Sequence, residues 1–215
     1  MELIDFILHI DQHLREFILQ YDNLVYIILF LIIFVETGLV IMPFLPGDSL
    51  LFAAGMFAAQ GSLNLFLVLG LLLIAAFTGD TVNYFVGKFF GAKALQLKLF
   101  GKTLIKKEHL DKTHEFYEKH GAKTIIIARF VPIVRTLAPF VAGVGSMNYK
   151  TFISFNIVGA ILWIAGLTLL GYFLGEVPII KNNFEKVIMA ILLISVLPII
   201  FEFAKGYFSK AKAGA

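Results

Sequence analysis

Gly61-Ser62-Leu63-Asn64 returns 84 positions later as Gly145-Ser146-Met147-Asn148, and this recurrence decides the architecture. At the same offset Ala76 matches Ala160, Gly87 matches Gly171, Phe89 matches Phe173 and Gly91 matches Gly175. Upstream, Phe52-Ala53-Ala54-Gly55 matches Phe140-Val141-Ala142-Gly143 at an offset of 88, an indel of about one helical turn. Each repeat thus reads as a broken hairpin followed by a span ending in Gly-x-x-x-Gly.

The hairpins are inferred from length. Pro43-Phe44-Leu45-Pro46-Gly47-Asp48-Ser49 opens an apolar stretch that runs only to about Ala59, too short and too broken to cross a ~30 Å hydrocarbon core. Thr124–Val144 is equally interrupted, by Arg129, Pro132, Arg135 and Pro139. Both are expected to be re-entrant, because irregular backbone at membrane depth must be buried in protein or line a polar cavity. The first repeat crosses the membrane once, so the second starts from the opposite face. The two hairpins should therefore meet near the midplane, which is a transporter pattern.

Composition points the same way. Of 215 residues 59% are hydrophobic, only 15% are charged, and the mean hydropathy is +0.88. A soluble domain would carry about a quarter charged residues. The chain has no cysteine, which excludes disulfides, thiolate metal sites and Cys nucleophiles. His9, His13, His109, His114 and His120 all lie outside apolar runs, so no metal site is expected in the membrane core. The net charge is +3, with the basic residues gathered on one connector and the tail. That distribution suits anionic lipid headgroups rather than nucleic acid. No cleavable signal peptide is read in the acidic, amphipathic first 20 residues.

The expected fold is an all-α integral membrane protein, one membrane domain over 1–215, with about four full spans and an inverted repeat of re-entrant hairpin plus transmembrane helix. Residues 1–23 form an interfacial amphipathic helix, with Leu3, Ile7, Ile10, Leu14 and Phe17 on one face. Repeat 1 occupies 43–91 and repeat 2 occupies 124–175. Between them 92–123 is an amphipathic connector with eight lysines from Lys93 to Lys123. The spans are Leu24–Met42, Leu63–Phe90, Phe152–Leu174 and a last one within 186–204. The positive-inside bias places the connector, the tail and hence both termini in the cytoplasm.

Five ionisable residues interrupt the apolar segments: Glu36, Asp48, Asp80, Arg129 and Arg135. Each costs at least ~2.5–3.5 kcal/mol to insert, so a partner or an interior pathway is expected. The repeat sorts them by sign, with acids in the first half and arginines in the second. Asp48 equally suits a helix cap after Pro46-Gly47, and the arginines could snorkel to headgroups. Asp80, with Asn83 and Tyr84 one turn on, is read first as a helix–helix hydrogen-bond network. Gly87-x-x-x-Gly91 and Gly171-x-x-x-Gly175 are read as packing surfaces, and Trp163 as lipid-facing or core filler. Arginine's planar fork suits phosphate, and buried carboxylates can exchange protons. Together they suit a proton-linked site for an anionic lipid headgroup, with Glu36, Asp48, Arg129 and Arg135 as its residues and Asp80, Asn83 and Ser49 as a secondary polar set.

At Glu36, Phe44-Leu45-Pro46-Gly47-Asp48-Ser49, Gly79-Asp80-x-x-Asn83-Tyr84 and Ala128-Arg129-Phe130-Val131-Pro132-x-x-Arg135-Thr136, the sequence resembles the DedA family, bacterial inner-membrane proteins of the SNARE-associated/VTT superfamily. The resemblance covers residues 1 to about 205. It implies facing re-entrant hairpins and lipid translocation: return of the carrier lipid undecaprenyl phosphate, phosphatidylethanolamine flipping, or phospholipid scrambling. It also implies links to proton-motive force, and it carries the family's required Glu, Asp, Arg, Arg series onto Glu36, Asp48, Arg129 and Arg135. The expected partners are an anionic lipid headgroup, protons, the membrane and, in a homo-oligomer, further copies of the chain. No cofactor and no catalytic residue is expected. An intramembrane lipid phosphatase would need a nucleophile from Asp48, Asp80 or Ser49, and a structural or assembly role would need none of the charges.

Overall fold

Proline and glycine punctuate the chain. Val131 is extended (φ −120°, ψ 103°), as the residue before a proline prefers, so Pro132 ends one helix and starts the next. The computed structural model describes residues 22–39, 47–94, 98–99, 102–103, 107–183, 186–187 and 190. Its helices are α1 (Asp22–Gly38), α2 (Gly47–Ala59), α3 (Leu65–Ala94), α4 (Lys107–His120), α5 (Thr124–Ala128), α6 (Pro132–Val144), α7 (Tyr149–Gly175) and α8 (Pro178–Lys181).

Among the described residues two helices are long and apolar enough to cross a membrane, Leu65–Gly91 and Tyr149–Gly175. They coincide with the spans expected at the end of each repeat. The first expected span is shorter than read: α1 has 17 residues and its helix stops at Gly38, with Leu39 outside it. The last expected span, the interfacial N-terminal segment and the Pro43–Pro46 tip lie outside the described residues, apart from a few positions at their edges. The fold is helical as expected, apart from one detail in the connector. It holds a small antiparallel ladder, β1 (Lys98–Leu99) with β2 (Lys102–Thr103), pairing Lys98 with Thr103 and Leu99 with Lys102.

The chain divides into two compact units. The first takes in Pro46–Leu65 and Thr168–Ala215, so it joins α2 to the last turns of α7. Gly55 and Gly171 make that joint. A Cβ on Gly55 would collide with the Thr168 carbonyl and the Tyr172 nitrogen, and one on Gly171 with the Phe52 carbonyl. A Cβ on Gly175 would be crowded more mildly, 3.1 Å from Ala59 Cβ and 3.2 Å from Met56 Cα.

The second unit contains Asn23–Leu45 and Phe66–Leu167, and within it α6 lies on the later turns of α3. Here a Cβ on Gly143 would collide with the Tyr84 carbonyl and the Lys88 nitrogen, one on Gly87 with the Phe140 carbonyl, and one on Gly91 with Val144. The contact pairs are those of the first unit displaced by 84 along the long helices and 88 along the short ones. Each unit thus sets one short apolar helix, α2 or α6, on one of the two long helices, α7 or α3. The arms also end alike: Gly61 after α2 (φ 75°) and Ser146 after α6 (φ 55°) take the left-handed conformation that closes a helix.

The second unit's core contains Tyr84, Ile125, Ala128, Val134, Ala138, Ala142 and Phe152. Helix α4 docks on it through one face, with Thr113 buried and Phe116 and Tyr117 half-buried. The Tyr117 hydroxyl donates to the Ala138 carbonyl (2.8 Å), and the Thr124 hydroxyl to the Phe116 carbonyl (2.8 Å). Burial, helped by the Asp80 charge, pushes the Tyr117 phenol well above its ordinary pKa, which keeps it a donor. The connector is therefore tied to the helix that carries Arg135.

Gly55→Ala and Gly143→Ala should each destabilise the detergent-solubilised protein by about 1–3 kcal/mol, because the added methyl meets backbone that cannot yield. Gly70→Ala, with nothing within 4 Å, serves as the control. Thermal melts in which all three variants unfold together would contradict the joint.

Candidate functional site

Four segments of the second unit converge on a buried cluster of charge. Helix α1 brings Glu36 in its last turn. It can do so because Gly79 on α3 has no side chain: a Cβ there would strike the Thr37 hydroxyl and crowd the Phe34 carbonyl. Helix α3 contributes Asp80 and, one turn later, Asn83. The break between α5 and α6 contributes Arg129, and the first turn of α6 contributes Arg135. Helix α7 contributes Asn156, Gly159 and Trp163, spaced so that all three share one face. None of the four charged side chains is more than 6% exposed, and both asparagines are fully buried.

The charges are paired. Arg135 Nη2 donates to Glu36 Oε1 at 2.6 Å. Arg129 Nη2 donates to both Asp80 Oδ2 and Asn156 Oδ1. Asn156 in turn donates to the Phe77 carbonyl at 3.4 Å. Asn83 acts as a bracket: its Nδ2 donates to the Thr37 carbonyl (3.1 Å) and the Thr136 carbonyl (2.8 Å). These are the residues directly after Glu36 and Arg135, so a single amide fixes the backbone on both sides of that ion pair. Trp163 lies between the pairs, with the Arg135 guanidinium carbon 4.8 Å and that of Arg129 5.7 Å from its ring centre.

Arg129 has more donors to spare than Arg135. Nε and Nη1 of Arg129 find no acceptor among the described residues, although both are buried. An unmet buried donor on a charged group is costly, so such N–H groups are a natural place for an anionic acceptor. No cluster of three His, Asp or Glu able to hold a metal occurs among the described residues.

Glu36, Arg129 and Arg135, three of the four expected site residues, are brought together. Asp48 and Ser49 lie in the first turn of α2, in the other unit, where a carboxylate also suits the helix N-terminus. Asp80, read first as part of a helix–helix hydrogen-bond network, is in addition the counter-ion of Arg129, which reaches it on α3 from the α5–α6 break. Trp163 is 1% exposed between two guanidiniums, so it is not lipid-facing. It and Asn156 were missed. Their one signal was position: a lone tryptophan midway along an apolar span is unlike the usual placement near the interfaces.

Removing one member of a buried ion pair strands the other. Asp80→Asn or Arg129→Gln alone should each lower stability by about 3–5 kcal/mol, and the double variant should lose less than the two losses combined. Melting the four proteins in detergent tests this, and strict additivity would contradict the pair.

Residues 45–173 match the VTT domain family. The chain is 51% identical over 213 residues to the Protein DedA of Escherichia coli (strain K12), covering 98% of this chain and 96% of that one. It is 40% identical over 185 residues to the membrane protein Rv0364 of Mycobacterium tuberculosis (strain ATCC 25618 / H37Rv), covering 85% of this chain and 80% of that one. It is 34% identical over 183 residues to the inner membrane protein YqjA of Escherichia coli (strain K12), with coverage of 85% and 82%. No solved structure matches it. With the matched domain running from the start of α2 to the end of α7, the chain belongs to the DedA family of membrane proteins.

Proposed function

We propose that this chain is an inner-membrane flippase that carries the phosphate headgroup of an anionic lipid, foremost undecaprenyl phosphate, from one leaflet to the other. The observation that carries the reading is Arg129: a buried, permanently charged guanidinium with two unmet N–H donors, beside a second buried arginine, inside an apolar protein. In the substrate-free cluster the two carboxylates occupy the arginines. An arriving phosphate takes their place with bidentate, charge-assisted hydrogen bonds. The displaced carboxylates then lie buried without a counter-charge, and taking up protons relieves that cost. Headgroup entry and proton uptake are thereby linked at Glu36 and Asp80.

In this reading α2 and the α5–α6 pair are re-entrant arms of an inverted repeat, the protein passes the membrane several times, and both termini are cytoplasmic. The recurrence of one glycine joint in both units supports the repeat. Phosphatidylethanolamine is the second candidate, because the cluster holds as many carboxylates as guanidiniums. Its phosphate would meet an arginine and its ammonium an acid. The lipid is moved without being changed: incubation with undecaprenyl pyrophosphate should release no phosphate, and release would contradict a purely transporting role.

Reconstitution into liposomes with headgroup-accessibility reporters, at two pH values, tests the proposal. Wild type should move undecaprenyl phosphate faster than phosphatidylethanolamine, Arg129→Ala should lose at least about tenfold in rate, and Glu36→Gln should flatten the pH dependence. Equal rates in all three proteins would remove the site from the account. Faster movement of phosphatidylethanolamine, without need of a proton gradient, would favour the second candidate.

A further inference from the structure

The arginines differ in their hydrogen-bonded acid partners but share an aromatic neighbour, Trp163. A guanidinium stacked on an aromatic ring uses its face, and its N–H donors, which point outward in its plane, stay available for oxygen acceptors. An acid partner does the opposite, since it occupies the N–H edge that a phosphate needs. Trp163 is thus a contact of both arginines that holds them without competing with an anion. Helix α7 shapes the rest of the seat. Asn156 takes one Nη2 hydrogen of Arg129, and the missing side chain of Gly159 leaves room for its stem, because a Cβ there would stand 3.0 Å from Arg129 Cδ and Nε. Once a carboxylate lets go, an arginine has a flexible stem and considerable freedom to lose. A ring against which both groups rest removes that freedom before the ligand arrives.

We propose that Trp163 is the positioning residue that holds Arg129 and Arg135 as the two prongs of one clamp for a single phosphate group. This rests on the lipid-phosphate reading of the site. The ring contributes through the negative potential of its face, so its effect should follow the electron density of the indole and not its volume.

The chain's single tryptophan makes a direct test available. Biosynthetic incorporation of mono-, di- and trifluorotryptophan alters this ring alone and leaves its size nearly unchanged. Binding of a polyprenyl phosphate in detergent micelles is measured for each protein, with inorganic phosphate as a parallel arm and a thermal melt to verify folding. Affinity should weaken stepwise with fluorination, by roughly tenfold across the series given the usual strength of such contacts. The same trend with inorganic phosphate would assign the effect to the phosphate itself, and a trend confined to the lipid would place the clamp's action on a membrane-anchored headgroup. Either form supports Trp163 as the positioning residue. Unchanged affinity across folded proteins of the series would overturn the proposal and leave the lipid reading standing. Absence of binding by the unmodified protein would overturn both.

Discussion

Two guanidinium groups that cannot give up their protons lie in the interior of an apolar protein, and the packing of the second unit is arranged around that constraint. Arg129 and Arg135 each require an acceptor, and each receives it from a different helix: Asp80 on α3 and Glu36 on α1. The helices can come close enough because glycine stands where they cross. Gly79 admits α1, Gly159 admits Arg129, and Gly87 and Gly143 let α6 rest on α3 backbone to backbone. Buried ion pairs add little to net stability relative to apolar packing, while an incomplete pair is strongly destabilising. Such a cluster is therefore better explained by the chemistry it can perform than by holding the fold together.

The same economy is visible in Asn83. Its amide makes no contact with either member of the Glu36–Arg135 pair in the hydrogen bonds described, yet it joins the carbonyls that directly follow both. Asp80 and Asn83 are one helical turn apart, so a single face of α3 neutralises one arginine and fixes the backbone of the other. Through Tyr117 and Ala138, the cytoplasm-facing connector of the proposed topology reaches the helix that carries Arg135. A change in the connector thus has a short, hydrogen-bonded route to the cluster.

Much of this was legible in the sequence because it depends on spacing. The offsets of 84 and 88, the Gly-x-x-x-Gly pairs and the break at Pro132 all express helical geometry, and they reappear as contacts. The sorting of acids and arginines by repeat likewise foreshadowed that opposite charges would meet. What could not be read was who meets whom. A repeat shows which elements are alike, but not that α2 would lie on α7 and α6 on α3. Asn83 bonds to backbone carbonyls, which every residue possesses and no sequence distinguishes. Trp163 sits among 23 phenylalanines in an otherwise ordinary apolar composition, and only its position in mid-span set it apart. Asp80 was underrated because a polar residue one turn from Asn83 has a sufficient local explanation.

The central claim is that the arginine pair recognises a phosphate group. It is tested most directly by competition between undecaprenyl phosphate and undecaprenol, which share a tail and differ only in the phosphate, followed by native mass spectrometry of the detergent-solubilised protein. The account predicts that wild type retains the phosphate-bearing lipid in clear preference and that the folded Arg129→Gln/Arg135→Gln double variant retains the two lipids equally. An undiminished preference for the phosphate in the double variant would contradict it.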